Sequence, residues 1–169
     1  LSGALDIDAA VGATTAPASI TLDGAADLAA DVTAVSDITV NDKLTLSGGA
    51  AVTRTMTSRS GDIDLNAAVN ASTAGAESLA LSTAAGTVFA QDLGTGTRLD
   101  ALTVTADAAE LAGDVQVLSV DLSATGSTML SASTVDIDSV GGASVALGAL
   151  SGANNLTISA ETTVDLRSE

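Results

Sequence analysis

The chain is 169 residues long, and 91 of them are Ala, Gly, Ser or Thr. Phe89 is the sole aromatic residue and Cys, His, Trp and Tyr are absent, which excludes thiolate and imidazole nucleophiles, Ser–His relays, zinc fingers, the usual haem ligands and any disulfide framework. Twenty-one acidic against five basic residues leave a formal net charge of −16, a field that repels nucleic acid and anionic lipid, so neither is an expected partner.

Taken in chain order, the apolar signal is a series of short runs with a two-residue period. They are LDID (5–8), ITL (20–22), ITV (38–40), LTL (44–46), IDL (63–65), LAL (79–81), LTVT (102–105), VDL (120–122), VDID (135–138), LTIS (156–159) and VDL (164–166). Each is bounded by Gly, Ser, Asn or Asp, which is the pattern of a short strand between turns. Three-and-four spacing is rare, and Thr, Ser, Gly and Val are mediocre helix residues, so the expected class is all-β. Leu, Val and Ile number 20, 15 and 6, enough for a core. With one aromatic ring that core must be narrow to reach normal packing density. No apolar run approaches the ~18 residues of a membrane-spanning helix.

Self-similarity points to a repeat. AADLAADVTAVS (25–36) and AAELAGDVQVLS (108–119) match at an offset of 83, and GALDIDAAVG (3–12) echoes GDIDLNAAVN (61–70) at 58. Both offsets are near-multiples of ~20. One strand ladder then runs through Leu5, Leu28, Leu44, Ile63, Val88, Leu111, Met129, Val145 and Val164. A second runs through Leu22, Val40, Met56, Leu81, Val104, Leu122, Ile137 and Ile158. Two ladders sharing one period describe a chain winding about an axis: a parallel β-helix, or β-solenoid, of about eight coils of ~20 residues. In this reading residues 1–169 form one solenoid of two sequence modules of ~82 residues, about 1–84 and 85–169. The alternative is two tandem β-sandwich modules.

GDIDLNAAVN (61–70), GTVFAQDLGTGTRLDALTVTAD (86–107) and NNLTISAETTVDL (154–166) resemble the β-strand repeats of very large bacterial surface proteins. These are the filamentous-haemagglutinin-like exoproteins and related autotransporter passengers, built as right-handed parallel β-helices. The resemblance covers nearly the whole chain. It is to the repetitive shaft, because the Asn-Pro-Asn motif found near the start of two-partner-secreted proteins is absent. It implies an extracellular or cell-surface structural role, as a shaft or filament segment, with a glycan- or host-binding adhesin segment as the alternative. An enzyme is not expected: polysaccharide-cleaving β-helices present clustered Asp, Arg, Lys and aromatic platforms on long loops, and no such cluster is visible.

The candidate sites are few. Asp6, Asp8, Asp62 and Asp64 face outward if Leu5, Ile7, Ile63 and Leu65 point inward, and Asp136 and Asp138 repeat the pattern. Paired carboxylates can work as acid and base or ligate Ca²⁺. Three coils between Asp6 and Asp64 correspond to roughly 14 Å, too far to converge, so a solvated acidic face is expected and no cofactor is assigned beyond a possible Ca²⁺. Thr53, Thr55 and Thr57 form an alternating run whose neighbours, Thr39 or Thr103 and Thr105, recur irregularly, which is the ordinary β-propensity of threonine rather than an ice-binding array. Asn70 and Asn155 head glycosylation sequons at chance frequency, and Arg54, Arg59, Arg98 and Lys43 are expected to pair with surface Asp. No basic-then-apolar leader precedes Leu1, so a targeting segment has been removed or the chain is part of something larger. TTVDLRSE (162–169) looks like the opening of a further module. The expected assembly interface is therefore head to tail, with Val164 and Leu166 meeting Leu5 and Ile7 of a next subunit or of a continuing chain.

Overall fold

A computed structural model describes residues 3–122, 126–131, 134–139, 144–147, 150–151, 155–160 and 163–166. The described residues form strands and turns without helix. In chain order the strands are β1 (Leu5–Ile7), β2 (Ile20–Leu22), β3 (Ala26–Leu28), β4 (Val32–Ala34), β5 (Ile38–Val40), β6 (Leu44–Leu46), β7 (Val52–Ser58), β8 (Ile63–Leu65), β9 (Val69–Ala71) and β10 (Glu77–Thr83). They continue as β11 (Thr87–Ala90), β12 (Leu99–Thr105), β13 (Ala108–Leu111), β14 (Val115–Leu122), β15 (Ser127–Leu130), β16 (Thr134–Ser139), β17 (Ser144–Leu147), β18 (Leu150–Ser151), β19 (Asn155–Ala160) and β20 (Thr163–Leu166). Every ladder between them is parallel, and each strand pairs with one a whole turn away. The protein is a parallel β-solenoid.

Three faces enclose the axis. On the first, Leu5, Ala26, Leu44 and Val69 stack in register on β1, β3, β6 and β9, and single bridges carry the column through Leu93 to Val115. On the second, Val32, Met56, Leu81 and Val104 stack on β4, β7, β10 and β12. The third is a seven-stranded sheet in the order β2-β5-β8-β11-β13-β15-β18. β14 turns a corner. Val115–Val117 pairs with β16 on the first face, and Val120–Leu122 pairs with β17 on the second.

Local sequence explains this winding. Strand residues alternate buried and outward, as in ITV (38–40) and LTL (44–46). Around the second turn the inward pairs Ala26/Leu28, Val32/Ala34, Ile38/Val40 and Leu44/Leu46 recur every six residues, a three-residue strand followed by a three-residue turn. The inward columns are almost wholly aliphatic and close to fully buried. Phe89 sits on the outer side of β11, half-buried, so the bore contains no aromatic ring at all.

Among the described residues about five turns are closed by buried residues on all three faces, a minor difference from the eight coils expected from the sequence. The two sequence ladders also need correction. Leu5, Leu28 and Leu44 lie on the first face, Ile63, Val88, Leu111 and Met129 on the third, and Val145 and Val164 on the second. The reason is turn length. Successive steps on the first face are 21 residues from Leu5 to Ala26, 18 to Leu44 and 25 to Val69. A 20-residue ruler falls behind and slips back one face every few turns. The sequence echoes slip the same way: Leu28 is on the first face, and its match Leu111 is on the third.

The slip also misplaced Met129, which points outward and is 41% exposed because Thr128 and Leu130 take the inward positions of β15. The Thr128 hydroxyl is buried without a hydrogen-bond partner. An unpaired buried hydroxyl costs about 1–3 kcal/mol, and valine has nearly the same shape. Thr128→Val is therefore expected to raise the melting temperature by a few degrees in a calorimetric scan.

Candidate functional surfaces

The acidic residues do not converge on one site. Asp6 is on β1 and stacks on Asp27 of β3, whereas Asp64 is on β8 of the third face, between Thr39 and Phe89. Asp6 and Asp8 are exposed. The Asp8 carboxylate beside Asp6, with slight desolvation, a shared hydrogen bond and Asp27, raises the Asp6 carboxyl above its ordinary value. Asp136 and Asp138 lie on β16, in register with Thr157 and Gln116, and their side chains fall outside the described residues.

Asp62 is exposed as expected, but Asp64 is only half-exposed. Its register neighbour Phe89 lies one coil away on the same outer surface. Burial first, then Asp62 and Asp37, raise the Asp64 carboxyl above the usual value of 3.8. A carboxyl with a higher affinity for protons when folded destabilises the folded state at neutral pH. That penalty disappears as pH falls through the raised value toward the unfolded one. Asp64→Asn is thus expected to melt higher than the parent chain at pH 7, with the difference closing below about pH 4. A constant difference across thermal melts from pH 7 to 3.5 would contradict this.

Most of the described side-chain hydrogen bonds run from one coil to the next. Asp37 Oδ1 accepts from Asp62 N at 3.0 Å, and Asp62 Oδ1 accepts in turn from Thr87 N at 2.7 Å. Asp31 and Asp92 accept likewise from Thr55 N and Asp114 N. At another corner Asn66 Nδ2 donates to Asn41 Oδ1 at 3.0 Å, and Asn41 Nδ2 donates to Asp23 Oδ1 at 2.8 Å. Such charge-assisted and amide bonds add to the register that the backbone ladders and the inward aliphatic columns set between coils.

Two groups had no signal in the sequence. Glu77 is fully buried, its carboxylate accepting from the Ser72 hydroxyl at 2.6 Å and from Thr73 N at 3.1 Å. It closes the turn at 72–76. Asn70, the head of one sequon, is 7% exposed and accepts from Gly96 N at 2.7 Å and Thr97 N at 2.9 Å. It is built into the turn below. Asn155, the other sequon, starts β19 with its side chain outside the described residues.

The threonine run is more regular than expected. Thr57 continues a column from Thr33 through Ser82 to Thr105, while the Thr55 column is interrupted by Ala80 before Thr103. Thr39 belongs to the third face. Arg54 Nε donates to the Ser47 carbonyl at 2.7 Å. Among the described residues no group of three or more His, Cys, Asp and Glu is placed to hold a metal ion, and no helix is long and apolar enough to cross a membrane.

A cavity of about 360 Å³ is lined chiefly by Ile7, Val11, Pro17, Ile20, Leu22 and Val32. β1 pairs with β3, β2 with β5, and Val11 bridges to Val32, so the cavity lies at the first described coil. Leu5 and Ile7 are half-buried there, whereas Leu28 and Leu44 in the same columns are fully buried. Val164 and Leu166 lie on β20, whose backbone pairs with β17 on the second face, and their side chains fall outside the described residues. Comparison with known protein families, curated proteins and solved structures finds no match.

Proposed function

We propose that the chain is a structural protein, a shaft or filament segment of an extracellular surface fibre, which extends by adding coils end to end. The observation that carries this reading is the set of mainly aliphatic columns stacked coil on coil along three faces. The polar groups support it, because most of those with described partners bond to an adjacent coil rather than converging around a cleft. A solenoid of this kind transmits load along stacked backbone ladders, and its length grows with the number of coils. The test is a glycan and matrix-protein array probed with the purified chain, beside negative-stain electron microscopy. Rods without selective binding support a shaft. Saturable, competable binding to one glycan or protein class would overturn it in favour of an adhesin.

A further inference from the structure

We infer that Met129 is an oxidation site of this protein, a surface thioether that takes one oxygen atom from a peroxide while the solenoid keeps its fold. The extracellular reading above bears only on where the oxidant comes from. The site itself rests on the strands.

The chain leaves little else to oxidise. Cys, His, Trp and Tyr are absent, so two-electron oxidation of a side chain falls to the two methionines. The fold sets them apart. Met56 is fully buried on the second face, stacked between Val32 and Leu81. Met129 stands on the outer side of β15, 41% exposed, in a column between Glu110 and Ser151. β15 is paired on both sides, with β13 and β18, so a small oxidant reaches this side chain without any strand opening. The aromatic ring of the chain does not cover it either. Phe89 shares the column two coils away, roughly 10 Å at ~4.8 Å per coil, beyond the ~5 Å of a sulfur–ring contact.

The chemistry is a direct transfer. A lone pair of the thioether sulfur attacks one peroxide oxygen, and an S–O bond forms as the O–O bond breaks. The other oxygen leaves as water from hydrogen peroxide, or as an alcohol from an alkyl hydroperoxide, and takes the proton of the transferred oxygen through solvent. Sulfur loses two electrons and the peroxide gains them. The product is a sulfoxide, a polar group. At Met129 its oxygen faces water and leaves the bore unchanged. At Met56 the same oxygen would sit among aliphatic side chains with no donor in reach, so oxidation there is incompatible with the packed columns. Placing Thr128 and Leu130 inward is what keeps the Met129 sulfur outside.

The test treats the folded chain with hydrogen peroxide over a time course and follows each methionine by peptide mass spectrometry, with the chain in denaturant as reference. Met129 should gain oxygen at least about tenfold faster than Met56 in the folded chain, because Met56 reacts only when the bore opens, and the two should react at similar rates in denaturant. Chain oxidised at Met129 should keep the parent far-ultraviolet spectrum and melt within ~2 °C of the parent. Met129→Leu should take up no oxygen in the folded state, and Met56→Leu as much as the parent. Equal rates at both methionines in the folded chain, a Met129 that reacts tenfold more slowly folded than unfolded, or loss of the fold on its oxidation would each overturn the inference. All three leave the shaft reading standing, since rods without selective binding are scored separately. Selective glycan binding removes the shaft reading and leaves Met129 untouched.

Discussion

Leu65→Asp should leave the chain unable to hold its fold. Leu65 is fully buried on β8, stacked between Val40 and Ala90. The interior around it is aliphatic on all three faces, so a carboxylate placed there meets no donor and no cation. An uncompensated buried charge costs several kcal/mol even after relaxation, against a total stability of about 5–15 kcal/mol for an ordinary domain. The expected result is loss of the β signal in far-ultraviolet circular dichroism at 25 °C, or a melting temperature lowered by tens of degrees. Asp64→Ala, one residue away but outward, should keep the parent spectrum. If Leu65→Asp melted like the parent, the bore would not be the core of this protein.

Gly94→Ala is the second large effect, and its origin is the backbone. Gly94 has φ +73°, in the left-handed region, and a methyl group added there would overlap the Gln116 carbonyl oxygen. The site cannot relax easily. Gly94 N donates to Val69 O at 2.7 Å, and Gln116 N donates to Leu93 O at 2.7 Å, so movement in either direction breaks a ladder bond between coils. Left-handed strain alone costs about 1–2 kcal/mol, and the clash brings the expected total to about 3 kcal/mol, or roughly 10 °C in melting temperature. Gly49→Ala is the control. It has φ +90° but open space around the new methyl, and should show only the strain. Equal losses at both glycines would remove the close approach of the coils at Gln116 from the account.

The class of fold was legible because its signal is local. Ile63 and Leu65 alternate with Asp62 and Asp64, Leu79 and Leu81 alternate with Ser78, Ala80 and Ser82, and all four are buried as the two-residue period requires. The scarcity of aromatic residues matches an interior lined by aliphatic side chains, with Phe89 on the outer side of β11. The number of faces was not legible, because it depends on turn length. The six-residue spacing of Ala26, Val32, Ile38 and Leu44 is present in the sequence and marks three faces per turn. It lasts little more than one turn before β7 and β10 lengthen to seven residues and stretch the period. The polar staples were illegible for a different reason. Asp62 and Asp64 are alike in sequence, yet one caps Thr87 N and the other is half-buried beside Phe89. Only the 25-residue register between β8 and β11 decides which carboxylate meets which group. Glu77 and Asn70 are likewise ordinary surface letters until a turn from the next coil closes over them.

That register can be measured with engineered cysteines, since the chain contains none of its own. Thr57 and Ser82 are paired across adjacent coils of the second face. Stacked coils bring Cα atoms to ~4.8 Å, within the range a disulfide spans. Thr57 and Thr39, only 18 positions apart and neighbours under a 20-residue ruler, lie on different faces. Mild oxidation of Thr57→Cys/Ser82→Cys, followed by mass spectrometry of the monomer, should give near-complete intramolecular disulfide, while Thr39→Cys/Thr57→Cys stays reduced. A reduced 57/82 pair, or an efficient 39/57 disulfide, would contradict the three-faced solenoid.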